Sequence, residues 1–137
     1  MITTQFTLYM QNRPGMLAKV SKLLADGGVN IEGISAAAGT DIGLVQLVTD
    51  KSRKARQILD KTGIPFVAQD VVLMAMSNRP GELARVVSEI ARRGINLNYV
   101  YATACACKDD CRCYAIISAP NLKKVLAACR ACGVDAE

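Results

Sequence analysis

Apolar residues follow two different spacings in the first third of the chain. In Gln5-Phe6-Thr7-Leu8-Tyr9-Met10 every second residue is strongly apolar, which is typical of a half-buried strand. From Pro14 the spacing changes to three and four residues, with Leu17, Val20 and Leu24 on one stripe. This spacing predicts a helix that begins at Pro14, where the fixed φ of proline suits a first helical position, and ends at Gly27-Gly28.

The next residues complete one structural unit. Apolar spacing and turn residues predict a second strand over Val29–Ala38, a third over Gly43–Thr49, a helix over about Ser52–Lys61 and a fourth strand over Ile64–Ala68. The order is therefore strand, helix, strand, strand, helix, strand. This order predicts an α+β, ferredoxin-like (βαββαβ) fold, with an antiparallel sheet that carries two helices on one face.

The same pattern is written twice. Asn12-Arg13-Pro14-Gly15 returns 66 residues later as Asn78-Arg79-Pro80-Gly81, and many apolar residues repeat at the same offset. An internal repeat of this length indicates a duplicated unit. We therefore predict two tandem domains, residues 1–69 and 70–137.

The second copy is predicted to be shorter than the first. Its predicted elements are a strand over Val71–Met76, a helix over Pro80–Arg93, strands over Ile95–Ala104 and Cys113–Ser118, and a helix over Asn121–Ala131. After Gly133 only four residues remain, so the second copy is truncated at its last strand. The sheet edge left open is expected to be covered by the first copy or by a second subunit.

The repeated loop has the chemistry of a small-ligand site. Amide groups that follow the proline have no partner inside the helix, and Gly15 and Gly81 let a carboxylate approach the main chain. Asn12 and Asn78 offer an amide to an ammonium or a carboxylate group, and Asn30 and Asn96 open the next strand. These groups suit a zwitterion. The alternative is a purely structural turn in which the asparagine caps the helix.

The motif Asn-Arg-Pro-Gly-x-Leu-Ala, followed by Gly-Val/Ile-Asn-Ile/Leu, resembles the ACT domain, a regulatory module of enzymes of amino-acid metabolism. The resemblance covers almost the whole chain as two copies. It implies a non-catalytic protein that binds a small ligand, an amino acid, at interfaces between ACT domains. The regulated partner would be an enzyme that the sequence does not identify. The open sheet edge of the second copy favours self-association as a homodimer, and no cofactor is expected.

The resemblance also implies which residues contact the ligand. The motifs are similar to those of the serine-sensing regulatory domain of phosphoglycerate dehydrogenase, but Met10 and Met76 stand where that domain has a ligand-contacting histidine, which implies a less polar wall. The expected ligand-binding residues are Asn12, Gly15, Met16, Leu17, Asn30, Ile31, Asn78, Gly81, Glu82, Leu83, Asn96 and Leu97.

Four cysteines crowd the predicted second hairpin: Cys105, Cys107, Cys111 and Cys113. If Lys108–Asp110 form the turn, Cys105 opposes Cys113 and Cys107 opposes Cys111, within the range of a disulfide. A thiolate site for zinc or an iron–sulfur cluster and a set of reduced thiols are the other readings. The alternative function is therefore a thiol-based metal or redox sensor. In the separate Cys129-x-x-Cys132 pair, Cys129 continues an apolar stripe and is expected to be buried and inert.

Composition narrows the remaining function classes. The chain of 137 residues has no histidine, which removes the usual general base and imidazole metal sites. Its net charge is +5, and the basic run Lys51–Arg56 is interpreted as a solvated helix face. Few aromatic residues are available for stacking, which disfavours an RNA-binding domain, so no nucleic-acid partner is expected. With no membrane span and no leader segment, the protein is expected in the cytoplasm.

Overall fold

The computed structural model describes residues 1–103 and 112–134. The chain forms two compact units. The first unit comprises Thr4–Gln69, and the second comprises Met1–Thr3 together with Asp70–Glu137.

The first unit has the predicted ferredoxin-like order. Its elements are β1 (Ile2–Gln11), α1 (Met16–Asp26), β2 (Ile31–Ala38), β3 (Ile42–Thr49), α2 (Ser52–Asp60) and the first residues of β4 (Phe66–Ser77). The strands lie in the order β2-β3-β1-β4, and β3 is antiparallel to both of its neighbours. The Tyr9 amide donates to the Pro65 carbonyl just before β4, at 2.9 Å. The α+β fold class predicted from the sequence is confirmed.

The core of the first unit lies between the sheet and the two helices. Phe6 and Leu8 of β1 are fully buried because alternate residues of a strand face the same side. Val20 and Leu24 of α1 pack into the same cluster. Leu17, which the spacing places on the same stripe, is 39% exposed because it lies in the first turn of the helix, beside an open cleft.

The second unit repeats the arrangement. It contains α3 (Glu82–Arg92), β5 (Tyr99–Thr103), β6 (Arg112–Ser118) and α4 (Leu122–Ala131), besides β4 from Asp70 onward. Both β4 and β5 are antiparallel to β6. Its separate core includes Met74, Val86, Ile117 and Val125, all fully buried.

The open sheet edge of the second unit is covered by the start of the chain. Met1–Thr3, which include the first two residues of β1, belong to this unit, and the Leu73 amide donates to the Met1 carbonyl at 2.8 Å. Within residues 70–103 and 112–134 the second copy has no fourth strand of its own. The residues that cover this edge therefore come from the first copy.

Several element boundaries differ from the sequence prediction. The helices begin at Met16 and Glu82, not at Pro14 and Pro80, because Gly15 and Gly81 adopt a left-handed conformation that a helix cannot include. The predicted strands Ile64–Ala68 and Val71–Met76 are wrong as separate strands, since one continuous strand, β4, replaces them.

Two predicted strands also begin later than expected. The amides of Gly28 and Val29 donate back to Ala25 and Leu24 and end α1, so β2 starts only at Ile31. In the same way the Ile95 amide donates to Ile90, and β5 starts at Tyr99 rather than at Ile95. The predicted end of that strand, Ala104, lies outside the described residues.

Candidate ligand-binding site

A cleft of about 180 Å³ opens in the first unit where β1 turns into α1. The end of β1, the first turn of α1 and the facing ends of β2 and β3 form its walls. Its lining residues are Met10, Gln11, Asn12, Arg13, Met16, Leu17, Ala36, Ala37, Ala38, Gly43 and Val45. Three of the expected ligand-binding residues, Asn12, Met16 and Leu17, are therefore brought together here.

The turn into α1 presents unused amide groups. Gly15 has φ of 87°, and the first full helical bond runs from the Lys19 amide to the Gly15 carbonyl at 2.9 Å. Within the described residues the amides of Leu17 and Ala18 donate to no acceptor. No acidic side chain lies in the first turn of α1. The positive end of the helix dipole is therefore open to a negatively charged group.

Asn12 holds this loop in place and does not cap the helix. Its backbone amide donates to the Asp41 carbonyl at 2.9 Å, and its side-chain Nδ2 donates to the Gly39 carbonyl at 3.0 Å. The residue in the N-cap position is Gly15, and no side chain caps the helix there. The capping alternative is therefore wrong for the first copy. With Nδ2 engaged, the Asn12 side chain still offers its carbonyl oxygen to a donor such as an ammonium group.

The walls of the cleft are mostly apolar. Met10 is only 5% exposed and Val45 is buried, while Met16 is half-buried. The three consecutive alanines of β2 carry only methyl groups, so they leave space that larger side chains would fill. Arg13 is exposed at the rim, and no carboxylate of the described residues pairs with its guanidinium. The cleft thus joins an apolar wall to a positively charged edge.

Asn30 and Ile31 lie at the other end of the first unit. The backbone amide of Asn30 donates to the Asp50 carboxylate at 2.8 Å, beyond the opposite end of β2 from Ala38. The eight residues of β2 span about 25 Å. A small ligand in the cleft cannot touch Asn12 and Asn30 of the same unit.

The electrostatics at the Asn30 end differ from those of the cleft. Burial, and then the nearby Asp50 carboxylate, raise the pKa of Glu32 above its ordinary value. The Lys51 ammonium donates to the Gly28 carbonyl at 2.6 Å on the same end. This end has its own carboxylates and is less suited to an anionic group than the cleft.

The second unit repeats the loop with a different first-turn side chain. Asn78, Gly81, Glu82 and Leu83 lie together where β4 turns into α3. The Glu82 carboxylate accepts from Arg85 at 2.8 Å, and the Arg79 guanidinium lies 4.0 Å away. The Arg85 hydrogen bond is the main reason that the pKa of Glu82 is lowered.

Asn96 and Leu97 precede β5 and lie far from this loop. Ser77, next to Asn78, pairs with Arg112 at the start of β6, whereas Tyr99 pairs with Ser118 at its end. The seven residues of β6 separate the two groups by about 20 Å. The division seen in the first unit is therefore present in both.

A family model described as an ACT domain pair matches residues 1–123. The chain belongs to the ACT domain family. ACT domains are small-ligand-binding regulatory modules. A search of curated proteins gave no match.

Solved structures share the fold of this ACT pair. A protein from Bacteroides thetaiotaomicron is similar with a TM-score of 0.85 and 24% identity over 98% of this chain and 91% of that chain. The ligand-free regulatory subunit of aspartate kinase from Thermus thermophilus has a TM-score of 0.67 and 20% identity, over 93% of this chain and 91% of the other. The corresponding subunit from Thermus flavus has a TM-score of 0.60 and 19% identity, over 95% and 94%.

The cysteine hairpin of the second ACT unit lies mostly outside the described residues. Cys105, Cys107 and Cys111 fall within residues 104–111, and only Cys113 is described, paired with Met76 and 2% exposed. Over residues 1–103 and 112–134, no group of three His, Cys, Asp or Glu side chains is placed to hold a metal ion. The metal and redox interpretations of the hairpin stay predictions.

Cys129 is buried in the core of the second ACT unit, as predicted. Its Sγ lies 3.6 Å from the Sδ of Met74, and burial is the main reason that its pKa is raised. A thiol with a raised pKa is a weaker nucleophile at neutral pH because less of it is ionised. Cys132, half-buried at the end of α4, has its Sγ 3.9 Å from the Arg85 carbonyl.

The far wall of the cleft was not anticipated in the set of site residues. Ala36, Ala37, Ala38, Gly43 and Val45 come from β2 and β3 rather than from the repeated loop. The available signal was the run of three alanines followed by Gly39, since consecutive small residues at a strand end leave room beside a neighbouring loop.

None of the helices in the described parts of the chain is long and apolar enough to cross a bilayer.

Proposed function

We propose that the protein is a non-catalytic, cytoplasmic regulatory module whose first ACT unit binds an apolar α-amino acid in the cleft beside α1. The observation that carries the proposal is the cleft itself, which joins unused amides and Arg13 to a wall of methionine, alanine and valine. The ligand carboxylate would meet the amides of Leu17 and Ala18, and its ammonium would donate to the Asn12 side-chain oxygen. The ligand side chain would lie against Met10 and Met16.

The size of the cleft supports a small ligand. Pockets for drug-sized molecules occupy about 300–1,000 Å³, whereas this cleft holds about 180 Å³. A single amino acid is small enough to fit a cleft of this volume. The apolar wall disfavours serine and other short polar side chains, because burying a hydroxyl without a partner costs free energy.

A second copy of the chain would complete the site. Asn30 and Ile31 are too far from the cleft of their own unit to contact a ligand there, and a second copy would bring them to that cleft, as a homodimer allows. Ligand binding would then favour the assembly that contacts it best, and would act on an enzyme partner through that differential affinity.

A binding assay with matched cleft-filling variants tests this function. Calorimetry would measure the affinity of L-leucine, L-isoleucine, L-valine and L-methionine, with L-serine and L-glutamate as comparison ligands. A thermal-shift assay would detect the same binding, because a ligand at 100 times its Kd raises the free energy of unfolding by about 2.7 kcal/mol. We expect Ala36→Leu to weaken binding of the apolar amino acids by at least about tenfold, since the added atoms occupy the cleft.

The control is Ala102→Leu, the equivalent position of the second unit. Ala36 and Ala102 are both exposed alanines on the second strand of their unit, so the two substitutions differ mainly in location. The control is expected to bind like the wild type. Absence of binding by all four apolar amino acids, or equal affinity in Ala36→Leu and the wild type, would refute the proposed site.

A further inference from the structure

The two copies of the loop have the same backbone geometry. Gly15 and Gly81 have φ of 87° and 91°, with ψ of −11° and −12°. The Lys19 amide donates to Gly15 and the Arg85 amide donates to Gly81, each at 2.9 Å. The backbone of the turn therefore gives the two units no reason to bind ligands differently, and only the side chains can distinguish them.

Most side chains of the cleft wall also repeat in the second unit. Met10, Asn12, Arg13, Leu17 and Ala36 have the same residue type 66 positions later. Two lining residues differ where the strand turns into the helix: Ser77 stands in place of Gln11, and Glu82 stands in place of Met16. The position that contributes an apolar wall to the first cleft thus carries a carboxylate in the second unit.

Glu82 is held in place by Arg85, and Arg79 lies nearby. Its Oε2 lies 2.8 Å from the Arg85 Nη2, and its side chain is only 18% exposed. Arg85 also donates to the Cys132 carbonyl, which fixes its guanidinium against the end of α4. Arg79, the counterpart of Arg13, lies 4.0 Å from Glu82 and contacts the Ser77 hydroxyl at 3.5 Å.

We propose that Glu82 is a specificity-determining residue that closes the second unit to carboxylate ligands, so that each chain binds one amino acid, in the first unit. This inference rests on the proposed function of the first cleft. A ligand carboxylate at the second loop would lie against the ionised Glu82, whose carboxylate also lies 4.0 Å from the Arg79 guanidinium and competes for its charge. Like charges at such short range disfavour binding, and removal of the repelling group is the change that should permit it.

Acetate is the probe for the test, because it carries the carboxylate alone and does not depend on the identity of the amino acid. Amide chemical shifts of ¹⁵N-labelled protein would be followed during titration with sodium acetate at constant ionic strength. We expect saturable shifts at Leu17 and Ala18 and at least about tenfold weaker responses at Leu83 and Ala84.

Exchanging the two side chains should exchange the responses. Glu82→Met should produce saturable acetate shifts at Leu83 and Ala84, and Met16→Glu should abolish those at Leu17 and Ala18. Glu82→Gln keeps the size of the side chain and removes only its charge, so it should also restore the response. Far-UV circular dichroism and melting temperature would show that each variant is folded.

The possible outcomes separate the two proposals. Equal acetate responses in the two units of the wild type, or no gain at Leu83 and Ala84 in both Glu82 variants, would overturn the role of Glu82. An acetate contrast that follows the predicted pattern, together with no binding of any apolar amino acid, would leave Glu82 as the determinant of carboxylate access and would reject only the proposed ligand. With L-leucine as ligand, calorimetry should give one site per wild-type chain and two per Glu82→Met chain.

Discussion

Gly15 and Gly81 hold a backbone conformation that L-amino acids with a side chain rarely adopt. Their φ values of 87° and 91° place both residues in the left-handed region immediately before a helix. An added Cβ at Gly15 would meet no atom within 4 Å, so the requirement for glycine comes from the backbone and not from crowding.

Replacing Gly15 with alanine should therefore destabilise the protein by about 1–2 kcal/mol, the cost of the left-handed conformation for a residue with a Cβ. Urea denaturation would measure the change in the free energy of unfolding. Gly43→Ala is the control, since Gly43 does not have a positive φ and its added Cβ would make ordinary contacts of 3.7 and 3.8 Å. Equal losses in the two variants would show that the conformation of Gly15 is not responsible.

At the scale of single residues, the sequence predicted the chemistry of the loop better than its hydrogen bonds. The repeated asparagine was a good indication of a structured polar group. Its partner, the Gly39 carbonyl, could not be predicted, because it belongs to a turn 27 residues away that only the folded sheet brings near. The absence of an acidic residue in the first turn of α1, and its presence in α3 as Glu82, was visible in the sequence from the start.

Among the helices, α3 has the densest ion pairs of the described residues. Glu89 accepts hydrogen bonds from Arg92 at 2.8 Å and from Arg93 at 2.7 Å, on successive turns of one face. Such pairs three and four residues apart stabilise a helix modestly. Hydrogen bonds from Arg92 and then Arg93 lower the pKa of Glu89 from 4.5 to about 2.

This shift predicts a loss of stability in acid. Because the pKa of Glu89 is lower in the folded chain, its contribution is fully present above pH 4.5 and is lost as the pH falls toward about 2. The Glu89→Gln variant should therefore show a weaker dependence of melting temperature on pH across this window. Asp60→Asn, which removes an exposed carboxylate that forms no ion pair in the described residues, is the control. Parallel curves for Glu89→Gln and the wild type would contradict the assignment.

The types of the elements were predictable because their apolar spacing is regular, whereas several of their ends were not. The proline suggested a helix start two residues too early, since the following glycine determines where helical backbone begins. The apolar residues on the two sides of Asp70 predicted two strands, because aspartate is rare within strands, but they form the single strand β4. The continuity of β4 depends on pairing with neighbouring strands. The strand propensities of individual residues do not predict such pairing.

On the scale of the whole molecule, the two units are not simple consecutive segments of the chain. Met1–Thr3 complete the sheet of the second unit, although they precede the entire first unit in sequence. The sequence predicted that the second copy lacks its last strand and that another segment covers the edge. Which segment does so was not predictable, because three residues carry too little pattern to be assigned to a distant partner.

Deleting residues 1–3 should therefore destabilise the second unit more than the first. Hydrogen exchange would measure this, and the Leu73 amide should lose protection because it donates to the Met1 carbonyl. Thr3→Val, which keeps the backbone and favours a strand, is the control and should retain protection at Leu73. Unchanged exchange at Leu73 in the shortened chain would show that the pairing contributes nothing to stability.

The borrowed strand has a consequence for how the duplication can evolve. Two complete copies could be separated, lost or shuffled independently, since each would fold without the other. Because Met1–Thr3 belong to the sheet of the second unit, a gene cut at the repeat boundary would separate the second copy from these residues. Inheritance of the pair as one gene is then favoured. A further copy could be added only at a place that leaves residues 1–3 joined to the second unit.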